Sequence, residues 1–129
     1  MGTPSMILRN ASLLAALVFS AGALAATSGN AVAGKKSFES TKAADGTPKA
    51  ACTSCHGANG NAPLAGMPKL AGQYPDYLAK ALREYRDGQR TNPVMAAQAK
   101  GLSNAEIDNL SVYLGSVKGD LHDLSNHTR

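Results

Sequence analysis

Residues 52–56 read Cys52-Thr53-Ser54-Cys55-His56, two thiols two residues apart with a histidine directly after the second. That spacing is the attachment signature of a c-type haem. On one helical turn Cys52 and Cys55 point the same way, so each thiol can add to one of two adjacent haem vinyl groups. His56, next along the turn, offers an imidazole nitrogen to iron. Other uses of the residues need a different setting. A thioredoxin-like redox pair also reads C-x-x-C, but wants a βαβ context, and no strand pattern surrounds this one. A zinc site would recruit His122 and His127, yet far more chain separates them from the thiols than a finger uses. A disulfide between Cys52 and Cys55 would close a tiny loop.

The cysteine count agrees. The chain holds only these two, so no disulfide framework supports it. Its 129 residues suit one domain, and aromatics are 5% with no tryptophan, which makes for a thin core. A buried haem would supply the missing apolar volume. The formal charge is +4, but lysines and arginines are scattered rather than striped, which gives no nucleic-acid footprint.

The N-terminus reads as a targeting segment. Arg9 precedes the apolar run Ala11 to Phe19, and Ala23-Leu24-Ala25 is an A-x-A cleavage signal. The run falls short of the ~20 residues a membrane span needs. We expect a cleaved secretory signal over 1–25, export to the periplasm and no stable membrane insertion afterwards. A second A-x-A, Ala31-Val32-Ala33, lies further from the apolar run. Residues 26–33 read as a flexible lead, 34–118 as the folded domain and 119–129 as a polar tail carrying His122 and His127.

Within the domain, Gly34 to Ser40 predicts a short helix anchored by Phe38, with Gly34 allowing another helix close approach. Pro75 to Asp87 predicts a helix with Pro75 at its first position, Asp76 at its positive end and Gly88 as its stop. Tyr77, Leu78, Ala81, Leu82 and Tyr85 form its apolar face, and Lys80, Arg83, Glu84 and Arg86 face water. Residues 89–100 read as a loop or weak helix. Ser103 and Glu106 form a capping box for a last helix with the stripe Ile107, Leu110, Leu114 and Val117, Tyr113 beside it, and Gly119 ending it. Pro68 brings a carbonyl of the kind a proximal histidine uses as acceptor for its second ring N–H, or is an ordinary loop proline.

In this order the pieces resemble a class I cytochrome c, and more narrowly the small bacterial periplasmic monohaem members and each half of their tandem dihaem relatives. The matching stretches are Cys52 to Gly57, Pro68 to Gln73, Tyr77 through Gly88 and Arg90, Asn92 to Met95, and Gly101 through Tyr113. The resemblance implies an all-α cytochrome c fold, three to five short helices around one covalently bound haem c. Its first and last helices would cross at Gly34/Phe38 and Leu110/Tyr113. It implies a cofactor site of Cys52, Cys55, His56, Pro68 and Met95, with Pro68 as carbonyl partner of His56 and with His56 and Met95 as the iron ligands. Chain order agrees about Met95. Met67 immediately precedes Pro68 and would be held on the imidazole side, whereas Met95 lies beyond the mid-chain helix with room to reach the other face. Ordinary core packing is the alternative for Met95. One departure from the family is that residues 39–51, with Asp45-Gly46 and Pro48, separate the first helix from the motif. They read as a surface insertion.

The function so implied is one-electron transfer without catalysis, from a donor such as a quinol-oxidising complex to an acceptor such as a terminal oxidase or reductase. No nucleophile, paired carboxylates or phosphate loop suggests an enzyme. The basic balance predicts partners with acidic patches. Two rivals stand beside it. One is an electron-entry subunit of a larger periplasmic redox enzyme, which uses the same fold. The other is a haem protein with an open sixth position; such four-helix cytochromes carry the motif near the C-terminus, and here it precedes most of the domain.

Overall fold

The computed structural model describes Gly2 and residues 27–61 and 64–121. Apart from Gly2, the expected leader lies outside the described residues, as do His122 and His127. Five helices follow one another among the described residues: α1 (Ala31–Glu39), α2 (Thr53–His56), α3 (Pro75–Arg86), α4 (Pro93–Ala99) and α5 (Asn104–Ser116). The only bridge among them is an isolated antiparallel pair, Lys42 with Pro48. The all-α reading stands.

α1 begins earlier than its apolar anchor suggested. Asn30 caps it, its side chain accepting the Ala33 N–H at 3.0 Å, so Ala31, Val32 and Ala33 are helical rather than a flexible lead. An asparagine before alanines is a helix start in its own right. The helix then crosses α5. Gly34 is buried at the crossing, where a Cβ would stand 2.0 Å from the Asn109 carbonyl oxygen and 2.7 Å from the Tyr113 Cβ. One turn on, the Phe38 ring packs against Tyr113 with centroids 5.7 Å apart. Phe38, Ile107, Leu110 and Leu114 centre the core.

α5 starts with both halves of its capping box in place, but ends at Ser116. Val117 is already extended, so Gly119 is not the stop. It serves a close approach instead, because a Cβ there would lie 2.2 Å from the Ala71 carbonyl oxygen.

α3 ends where Gly88 takes a positive φ of 76°. Its buried residues are Leu78 and Ala79, while Tyr77 is 48% exposed, so the inward face is rotated from the one predicted. The helix has two tasks, packing on α5 and walling the site, and these split its apolar residues between two directions. Its charged side is not simply solvated either. Arg83 pairs with Asp108 on α5, and Arg86 donates to the Leu102 carbonyl at 3.1 Å and to Asn104 Oδ1 at 2.9 Å. α4 resolves the loop-or-helix ambiguity: Asn92 accepts the Met95 N–H at 3.0 Å and Pro93 occupies the first turn.

The residues before the motif are docked rather than loose. Ala43 N–H donates to the Thr47 carbonyl at 2.9 Å and Lys49 N–H to that of Thr41 at 3.0 Å, closing a tight loop. Ala43 is buried in the core, the Ala44 N–H donates to Glu106 Oε2 at 3.0 Å, and the Ala50 N–H to Gln98 Oε1 at 2.7 Å. These bonds satisfy backbone groups that a free loop would leave to water.

Candidate haem site

The motif turn is held at both ends. Cys52 N–H donates to the Phe38 carbonyl at 3.0 Å, tying the motif to the end of α1. Its own carbonyl accepts the His56 N–H at 3.0 Å, and Gly57 leaves the turn at φ 82°. The Gly60 carbonyl then accepts both Leu70 N–H at 2.8 Å and Ala71 N–H at 3.1 Å. This fold-back places Pro68 over the imidazole. His56, buried to 5% exposure, has Nδ1 2.9 Å from the Pro68 carbonyl oxygen. A carbonyl only accepts, so Nδ1 carries the hydrogen and Nε2 is left as a bare lone pair.

Cys52, Cys55, His56 and Pro68 line a cleft of about 230 Å³ together with Tyr85 of α3 and Val94 and Met95 of α4. Met67 lines it too. Both methionines therefore reach the cleft, Met67 from the turn beside Pro68 and Met95 from α4. Among the described residues, no Lys, Arg, Asp or Glu forms its wall. Cys52 and Cys55 are free, half-buried thiols. Burial pushes the Cys52 thiol above its ordinary value, and the nearby Lys49 ammonium works against that shift. The predicted site residues are thus gathered around one space. Sequence reasoning had not assigned Tyr85, Val94 or Gln98 to it, and had passed over Lys49 behind it. A lone lysine in a polar loop carries no signal of burial.

Residues 31–118 match the cytochrome c family. The chain belongs to the cytochrome c family. It is 45% identical over 86 residues to cytochrome c4 of Stutzerimonas stutzeri, covering 63% of this chain and 40% of that protein. It is 47% identical over 70 residues to the thiosulfate dehydrogenase electron acceptor of Thiomonas intermedia, covering 54% of this chain and 32% of the relative. In structure it is similar to reduced recombinant cytochrome c4 from Pseudomonas stutzeri, with TM-score 0.59, 42% identity, and coverage of 68% of this chain and 48% of that one. The chain spans less than half the length of each of these proteins, as a match to one half of a tandem relative would.

For a cytochrome c with this thiol spacing, the cofactor is covalently bound haem c. The donor set fits it: two thiols on one turn, an imidazole with its outer nitrogen free, a thioether on a facing helix, and a cleft with no ionised side chain among the described residues of its wall. Among the described residues no helix is long and apolar enough to cross a membrane.

Proposed function

We propose that this cytochrome c is an exported one-electron carrier, moving electrons in the periplasm from a donor such as a quinol-oxidising complex to a terminal oxidase or reductase. Haem c, when bound, supplies the Fe(III)/Fe(II) couple. The observation that carries the reading is the His56–Pro68 contact at 2.9 Å within a cleft whose wall, among the described residues, has no ionised side chain. Cys52 and Cys55 anchor the cofactor. His56 Nε2, its ring held by Pro68, and the Met95 thioether would hold the iron. Tyr85 and Val94 would pack against the haem as apolar wall, and keeping water away favours the less charged reduced state. Residues 1–25 act as the cleaved leader that delivers the chain for haem attachment.

Leu64, bonded through its N–H to the Cys55 carbonyl, is 59% exposed beside the motif, and Met67 and Val94 are further apolar residues of the cleft. This apolar rim is the surface we assign to partner docking. It differs from the acidic-patch docking that the basic composition suggested.

A second reading is favoured by one relative. The similarity to an electron acceptor of thiosulfate dehydrogenase supports an electron-entry subunit fixed to a larger redox enzyme. Mass spectrometry of the exported protein should show one haem that survives denaturation. A spectroelectrochemical titration should show a reversible one-electron couple, and the reduced form should not take up carbon monoxide. Rapid uptake of carbon monoxide would mean an open sixth position and defeat the carrier reading. Co-purification at a fixed ratio with an oxidoreductase would select the second reading.

A further inference from the structure

Lys49 is a lysine that the fold buries beside the haem attachment point, at 9% exposure. Its ammonium donates to the Ser40 carbonyl at 2.6 Å and the Ser37 carbonyl at 3.2 Å, and it lies 3.9 Å from Cys52 Sγ. Ser37 belongs to the last turn of α1 and Ser40 is its C-cap, so the cation sits at the negative end of a helix dipole. Among the described residues no carboxylate forms an ion pair with it; the paired lysines are Lys35, Lys69 and Lys80. Taking an ammonium out of water is costly, and two carbonyls and a helix end offset only part of that. A neutral donor would cap the same two carbonyls without the desolvation cost of a charge.

We propose that Lys49 is a fixed positive charge that sets the reduction potential of the haem upward. The inference rests on the carrier reading above. Cys52 Sγ would be one of the two sulfurs that bind the cofactor, so a charge in contact with it acts at short range. The oxidised centre carries one more positive charge than the reduced one, and a nearby cation therefore disfavours oxidation. Burial matters because it lowers the effective dielectric and shields the charge from salt. Exposed lysines of the same loop, such as Lys42, lack that leverage.

The test is a midpoint titration of holoprotein carrying Lys49→Gln, Lys49→Arg or Lys42→Gln. Glutamine removes the charge and keeps an N–H donor, on a side chain one atom shorter. We expect Lys49→Gln to shift the equilibrium toward the oxidised form by roughly threefold to tenfold, tenfold being about 59 mV for one electron. Lys49→Arg and Lys42→Gln should stay close to wild type. An unchanged midpoint in Lys49→Gln overturns the proposal, and so does an equal shift in Lys42→Gln or Lys49→Arg. If Lys49→Gln loses haem or changes its axial spectrum while Lys49→Arg does not, Lys49 serves to hold α1, and the tuning role fails. A wild-type protein without covalent haem, or one whose reduced form takes up carbon monoxide, would instead mark failure of the carrier reading itself.

Discussion

The Nδ1 of His56 and the carbonyl oxygen of Pro68 lie 2.9 Å apart. The acceptor is main chain, so it survives any change of side chain at position 68. Pro68→Ala is accordingly expected to retain covalent haem and an unaltered axial spectrum, with a modest loss of stability from the freed backbone, about 0.4–1 kcal/mol. Visible spectra of both redox states and thermal melts check this. A displaced axial ligand would show that the pyrrolidine ring, and not the carbonyl, orients His56.

Met67 and Met95 both line the cleft, and substitution separates them. Met67 ends a turn closed by its own N–H to the Leu64 carbonyl at 3.0 Å and adjoins Pro68, the partner of His56. Met95 is fixed to Asn92 at the start of α4. Met95→Ala should abolish the weak sulfur-to-iron charge-transfer band of the oxidised protein, lower the potential and admit added ligands. Met67→Ala should leave the band in place. The reverse pattern would exchange the two assignments.

Gly34 has no room for a methyl group, with Asn109 O 2.0 Å from its would-be Cβ. Gly34→Ala is expected to push α1 away from α5 and cost about 1–3 kcal/mol. A domain of this size would then melt roughly 4–8 °C lower per kcal/mol. Calorimetry that finds no decrease would mean that the two backbones separate without penalty.

Glu106 holds two elements at once. Its Oε2 accepts the Ser103 N–H at 3.0 Å, within the α5 capping box, and the Ala44 N–H at 3.0 Å from the loop before the motif. Loss of the cap alone, in Ser103→Ala, should cost about 1 kcal/mol. Glu106→Ala should cost more, and it should speed amide exchange at Ala44, which Ser103→Ala leaves protected. Equal costs with no change at Ala44 would argue that the loop docks without this bond.

Partner docking through the apolar rim predicts a weak dependence on salt. The electron-transfer rate with a purified redox partner should fall less than about threefold from low to physiological ionic strength. Leu64→Asp, which places a charge on the exposed apolar surface beside the motif, should slow it by more than salt does. A steep salt dependence would return the argument to the basic surface charge that the composition suggested.

Some features of this protein are decided within a few residues of chain. The Cys52–His56 spacing fixes both thiols and the imidazole on one turn, the Ser103/Glu106 box marks a helix start through bonds to its own backbone, and Pro75 marks another through its fixed φ and missing N–H. Gly34 was legible as a close-approach site because a glycine inside a helix is otherwise unfavourable. The remaining features depend on which distant segment arrives. Gly119 looks like a helix stop in sequence, yet its smallness serves the Ala71 carbonyl. The α3 face is rotated because α5 and the cleft compete for its apolar residues. The loop before the motif becomes structural only when Glu106 and Gln98 come within reach, and Lys49 becomes a buried cation only when the end of α1 supplies its carbonyl partners. Caps and turns are short-range bonds that a local reading can count. Burial, close approach and the field around a charge are set by neighbours far away in the chain, so only the tertiary structure decides them.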